Sequence, residues 1–176
     1  MAFTRRELLR LGGVGTAAAM PPEAGRSMAL APPAEPDSSL DERYLLHGLN
    51  VLCGAHATSA FGTGHAGGAV ISAYYFCREE ALGPGTADVI QRALDTHYGM
   101  ASDPFPDESP AEDGIATLLR SMEDGIDQLC RDGHDLIFLS LALRAFHDLP
   151  RAVTPSRIEG LRKTLAALSP RSKGIG

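Results

Sequence analysis

Leu45-Leu46-His47-Gly48-Leu49-Asn50-Val51-Leu52-Cys53 and, one short loop later, Gly64-His65-Ala66-Gly67-Gly68-Ala69-Val70-Ile71-Ser72-Ala73-Tyr74-Tyr75-Phe76-Cys77 decide the fold. From Leu45 to Cys77 there is no Asp, Glu, Lys or Arg, although 22% of the chain is charged. About seven charged residues would ordinarily fall in a segment of this length. A stretch this free of charge belongs inside a protein, and its His, Asn, Ser and Thr side chains need partners there. A membrane span needs about 20 unbroken apolar residues. Here Gly and His interrupt the pattern, so no membrane span is expected in the mature chain.

Outward from this core segment, the chain reads as helix after helix. No run alternates apolar and polar residues between turn signals, so strands have no support. The first helix is expected from about Leu40 to Gly54, with Ser39 as cap and Glu42 completing a capping box. The second begins near Gly64 and runs to Leu82, where Gly83-Pro84-Gly85 stops it. Thr86 caps a third, which places Val89, Ile90, Ala93, Leu94 and His97 on one face and ends at Tyr98-Gly99. A long Pro-rich acidic loop follows to Glu112. The fourth helix spaces Ile115, Leu118, Leu119, Met122, Ile126 and Leu129 as a half-exposed amphipathic helix. In the fifth, Asp135 to Asp148, apolar residues from Leu136 to Leu143 circle the axis and predict burial on most sides. Thr154-Pro155 opens the sixth, with Ile158, Leu161, Leu165 and Leu168 inward, and Ser169-Pro170 closes it.

The fold class is therefore all-α, with about six helices as three antiparallel hairpins. Buried and amphipathic helices together suggest two layers. In architecture this resembles the α/α toroids, the fold of many polysaccharide lyases, glycosidases, prenyltransferases and terpene cyclases. The resemblance rests on helix arrangement over residues 40–168 and on no motif. A full toroid has about twice as many helices. The chain thus corresponds to half a ring, a subunit of a homo-oligomer, a truncated product or an ordinary bundle.

At the other end of the chain, Thr4-Arg5-Arg6-Glu7-Leu8-Leu9-Arg10 precedes a Gly-rich apolar stretch, Leu11 to Met20. This resembles the twin-arginine export signal, with Leu8 where Phe is most usual and Arg10 where Lys is. The resemblance implies a signal peptide over 1–31, recognition by the twin-arginine export machinery, and a periplasmic or extracellular destination. Ala17-Ala18-Ala19 and Ala29-Leu30-Ala31 are candidate cleavage sites. Pro32, Pro33 and Pro36 make 32–38 a linker. The helical domain is 39–170, and 171–176 form a disordered tail. The whole chain carries a net charge of -6, and without residues 1–31 it would keep 12 basic and 20 acidic residues. Such an acidic surface excludes a nucleic-acid partner, which would require clustered Lys and Arg. Cys53, Cys77 and Cys130 are an odd number for an exported protein and lack any Cys-x-x-Cys spacing, so buried thiols are expected, with room for one disulfide.

The candidate chemistry sits in the uncharged stretch. His56 and His65 flank the loop whose Gly62 and Gly64 let a ligand approach the backbone. On the first helix His47 neighbours Asn50; on the second, His65, Ser72 and Tyr75 share one side. His47, His56 and His65 are the candidate catalytic residues, since imidazole serves as general acid or base near neutral pH. Asn50, Ser59, Gly64, Ser72 and Tyr75 are the candidate ligand-binding residues, for a carbohydrate or other small molecule. No helix carries His-x-x-x-His or Glu-x-x-His, so no metal site is assigned, and no cofactor is identified. His134, between Asp132 and Asp135, is placed either for proton transfer or simply at a helix boundary. The 103–113 acids suit calcium in type but lack EF-hand spacing, and the loop that holds them could cover a pocket. Two readings of function stand. One is an exported hydrolase or lyase of the toroid type using His as general acid or base. The other is a noncatalytic helical-repeat module that binds a protein or a cell-envelope glycan.

Overall fold

A computed structural model of the protein describes residues 39–99, 103–123 and 132–168. The signal, the linker, Ile126, Leu129, Cys130 and the tail lie outside the described residues. Among the described residues every regular element is helical. The helices are α1 (Glu42–Gly54), α2 (Gly62–Glu79), α3 (Thr86–His97), α4 (Gly114–Glu123), α5 (His134–Asp148) and α6 (Pro155–Leu168). Short 3₁₀ turns, Ala55–Ala57 and Pro150–Ala152, extend α1 and precede α6.

The hub is α1. Its Tyr44, Leu45, Leu49, Leu52 and Cys53 are fully buried, and α2, α5 and α6 all pack against it. Asp41, rather than Ser39, caps it: the Asp41 carboxylate accepts the Arg43 N–H at 2.8 Å. The expected antiparallel hairpin forms between α1 and α2. Gly48 lies against Gly67 and Ile71, while Gly67 lies against Leu52, so one helix runs up as the other runs down. A Cβ built on Gly67 would fall 2.6 Å from the Leu52 nitrogen and 2.7 Å from the Gly48 carbonyl oxygen. Backbone cannot yield to that, so the two helices approach as closely as helices can only where both lack side chains.

Three local readings change in the structure. First, α2 starts at Gly62, two residues early, where the Ser59 hydroxyl accepts the otherwise free Gly62 N–H at 3.0 Å. It also ends at Glu79, before Gly83. Second, α3 buries Ala87 and Leu94 rather than Val89, which is 57% exposed. Ala87 and Leu94 pack in one cluster with Leu40 and Tyr44 on one side and Val70 and Cys77 of α2 on the other, and Asp95 accepts the Tyr44 hydroxyl at 2.7 Å, which sets the buried phase. Third, α5 is not buried all round. Phe138, Leu139, Ala142, Ala145 and Phe146 face inward, but Leu136 and Ile137 are 40% and 49% exposed. Among the described residues α5 packs on α1, α2 and α6 through its inward face, and the apolar residues off that face stay at the surface. Gly133, left-handed at φ 86°, turns the chain into α5.

Candidate functional site

Arg157, on the first turn of α6, is a buried charged side chain, 5% exposed. Its spacing explains its burial: Arg157, Leu161, Thr164 and Leu168 recur on one helical face, and all four are buried. A buried guanidinium must have its donors satisfied. Nε donates to Asn50 Oδ1 at 2.7 Å, and Nη1 reaches Thr154 Oγ1 at 3.3 Å. Nη2 donates to Asp103 Oδ2. The Phe105 ring lies 5.1 Å from the guanidinium carbon. Asn50, from the uncharged stretch, thus meets its partner 107 residues away in sequence.

Asp103 belongs to the Pro-rich loop, which is pinned at three points. Besides Asp103, Glu108 accepts both the Ser156 N–H at 2.9 Å and the Ser156 hydroxyl at 2.7 Å, capping α6 from outside. The Ala111 N–H donates to the Val153 carbonyl at 2.7 Å. The two Ser156 bonds hold the Glu108 carboxyl below its ordinary range, because each favours the charged form. Between loop and helices lies a cavity of about 380 Å³. Arg157 and Thr154 line it from α6 and the residue before it, Phe105, Asp107 and Glu108 from the loop, and Leu46 from α1. The volume falls within the roughly 300–1,000 Å³ of small-molecule sites.

No family model, curated protein or solved structure matches this chain. Any functional reading therefore rests on geometry.

The three candidate catalytic histidines occupy separate places. His47 and His56 are nine residues apart along α1 and its extension, about 14 Å of axis. His47 is buried at 7% exposure, with Nε2 lacking a hydrogen-bond partner. Burial lowers its pKa from the ordinary value, with the nearby Tyr98 backbone partly opposing. His56 is exposed and turned back onto its own helix end, its Nδ1 3.2 Å from the Cys53 carbonyl oxygen. Its backbone N–H donates to the Thr164 hydroxyl at 3.1 Å. His65, also exposed, lies 2.7 Å through Nδ1 from the Phe61 carbonyl oxygen. A carbonyl only accepts, so Nδ1 carries the proton and the neutral ring presents its lone pair on Nε2. Across their loop the two rings find different neighbours: His56 folds back onto the Cys53 carbonyl oxygen, and His65 lies against His134, with ring centroids 4.7 Å apart. Phe61 and Phe138 complete that aromatic cluster, at 4.4 Å and 5.3 Å from His65.

The ligand-binding candidates divide likewise. Asn50 orients the cavity's guanidinium. Ser59 accepts the Gly62 N–H at the start of α2, and Ser72 is exposed on α2. Gly64 is a packing glycine, since a Cβ there would meet the Phe138 ring at 2.4 Å. Tyr75 is a core residue under the Arg144 guanidinium, 3.7 Å above its ring. Its hydroxyl lies near the Asp148 carboxylate without reaching hydrogen-bonding geometry, and its pKa is pushed up to about 12, chiefly by burial. Cys53 and Cys77 are free, buried thiols, Cys53 pushed up to about 12 by burial and so inert. Among the described residues no helix is long and apolar enough to cross a membrane, and no three His, Cys, Asp or Glu side chains group as a metal set.

Arg157 itself was missed in sequence reasoning. The signal was present: it lies four residues before Leu161 and in phase with Leu165 and Leu168 along the inward face of α6.

Proposed function

We propose that this chain is an exported, noncatalytic helical module that binds a small polar ligand, sugar-like in its chemistry, in the cavity beneath the 103–110 loop. The observation that carries this reading is a buried guanidinium held on the cavity floor by a rigid helical framework and a pinned loop. Rigid placement of a few polar groups beside apolar surface is what recognition of a small polar molecule requires. Phe105, Leu46, Pro106 and Pro110 supply the apolar surface. The Thr154 hydroxyl, the Asp107 carboxylate and the Arg151 guanidinium supply donors and acceptors around it. The export assignment is supported by Thr4–Arg10 and the proline-rich stretch after it.

A thermal-shift screen of neutral mono- and disaccharides and free amino acids tests the reading. At a hundredfold excess over Kd, bound ligand stabilises by about 2.7 kcal/mol, a melting shift of several degrees. At least one compound class should raise the melting temperature of the wild type and of His65→Ala. The shift should vanish in Asp107→Ala, which alters an exposed cavity residue without touching the core. A shift that survives Asp107→Ala and disappears in His65→Ala would place the ligand elsewhere.

The second reading, acid–base chemistry at His65, has one observation in its favour: the hydrogen bond that fixes its tautomer and leaves Nε2 presented beside His134. Loss of a hydrolase or lyase activity in His65→Ala, with an unchanged melting temperature, would establish it.

A further inference from the structure

We infer that Asp103 stands in the place of a ligand carboxylate, and that the cavity's ligand carries one. This rests on the cavity being the binding site. The Arg157 side chain is only 6% exposed, and its partners differ in kind. Asn50 and Thr154 belong to α1 and to the residue capping α6. Asp103 belongs to a loop, lies 54 residues away in sequence, and keeps 38% of its side chain exposed. Two contacts are therefore fixed by the helical framework; the third comes from the loop, which keeps its Glu108–Ser156 and Ala111–Val153 anchors when Asp103 is displaced.

The geometry of the pair also leaves something to gain. A guanidinium edge pairs best with a carboxylate through two parallel N–H···O bonds. Asp103 offers one oxygen to Nη2, because its other oxygen, Oδ1, accepts the Phe105 N–H at 2.9 Å. Nη1 makes do with the long 3.3 Å contact to Thr154. A free carboxylate in the cavity has both oxygens available and can take Nη2 and Nη1 together. Displaced Asp103 would move into water from a position already partly exposed.

The surrounding charges permit the exchange. Arg151 lines the same cavity and pairs with Glu42, whose side chain is half exposed. Among the groups lining the cavity, Glu108 is committed to Ser156 and Arg151 to Glu42, so Asp107 is left to accept hydrogen bonds from the ligand's polar body. Exchanging the Asp103 carboxylate for a ligand carboxylate leaves the charge beside Arg157 unchanged. A dianion would add a negative charge to a cavity that already holds Asp107 and Glu108, so a ligand with one carboxylate and a neutral polar body fits better.

The test is refilling of the vacated place by acetate. Melting temperatures of wild type, Asp103→Ala and Asp103→Ala/Arg157→Met are measured in acetate and in chloride at matched pH and ionic strength. Asp103→Ala should be stabilised by acetate in a saturable manner, with at least about tenfold higher apparent affinity than wild type, and the double variant should lose the effect. If Asp103→Ala does not fold, Asp103→Asn keeps the shape of the loop while removing the charge, and the same acetate dependence is read there. An equal response to acetate and chloride, or an acetate response that persists without Arg157, overturns the inference. The two readings fail separately: neutral saccharides that stabilise the wild type through Asp107 while acetate leaves both Asp103 variants unmoved would sink the carboxylate assignment and keep the binding module, whereas a ligand shift that survives Asp107→Ala and disappears in His65→Ala would sink both.

Discussion

On one side α1 meets α2 through glycine; on the other it meets α6 and the 103–110 loop around a guanidinium. Both sides are built from the same uncharged stretch. Toward α2, Gly48 and Gly67 bring backbone against backbone, and the contact is a matter of shape. Toward α6, close approach also occurs, since a Cβ on Gly160 would lie 2.7 Å from the Cys53 carbonyl oxygen. There, however, the contact carries polar groups. The Thr164 hydroxyl donates to that same carbonyl at 3.3 Å, and Asn50 accepts from Arg157. Absence of charge in a sequence therefore does not mean a dry, apolar neighbourhood. The charge required by Asn50 is supplied by a helix more than a hundred residues downstream.

The largest test of this contrast is Gly67→Ala. The new methyl group meets backbone atoms that cannot rotate away, so α1 and α2 must separate, at a cost of about 3 kcal/mol. Urea denaturation measures it. A cost below about 1 kcal/mol would show that the glycine side is looser than described and would remove the contrast. On the polar side, Asn50→Ala leaves the Arg157 Nε–H without its partner and should cost about 2 kcal/mol. Because the two residues form one network, the Asn50→Ala/Arg157→Met double variant should lose less than the sum of the singles. Strict additivity would mean that the two act independently.

A smaller effect is a pH dependence at His47. Burial depresses its pKa, so as pH falls the unfolded ring, at about 6.5, takes up a proton before the folded one does. This contribution to stability is fully present above about pH 6.5 and is lost as pH drops toward the folded pKa. His47→Leu removes the titration along with an unpartnered buried nitrogen. Relative to wild type it should gain about 1 kcal/mol at pH 5 and lose part of the wild type's acid sensitivity between pH 7 and pH 5. An unchanged slope would place that sensitivity in other groups. The smallest effect is expected at Gly54, where a Cβ meets nothing within 4 Å and the backbone is already helical. Gly54→Ala should be neutral or stabilising by up to about 1 kcal/mol, the opposite sign to Gly67→Ala one helix face away.

Much of the fold was legible because its signals are local. The Thr154-Pro155 start of α6 and the end of α1 at Gly54 depend on neighbours in sequence. What was not legible depends on which neighbours lie beyond. The apolar circle of α5 reads as burial on most sides, yet Leu136 and Ile137 are 40% and 49% exposed, because the helices that α5 packs on among the described residues cover its other face. Val89 and Leu94 both suit an inward face of α3, and only the contacts with α1 and α2 choose between them. The site was half legible. Asn50 could be named as a buried group in need of a partner, but the partner, Arg157, reads locally as one more charged residue on an amphipathic helix. His65 could be named, but its closeness to His134 follows from how α2 and α5 start side by side.

The most direct test of the central claim is an NMR map of ligand-induced chemical-shift changes, using the compound that most stabilises the wild type in the thermal screen. The account predicts that the largest backbone shifts fall at Leu46, Phe105, Asp107, Thr154 and Arg157, the residues around the cavity. Shifts confined to Phe61, His65, His134 and Phe138 would contradict it and move the site to the aromatic cluster at the other end of the α1–α2 hairpin.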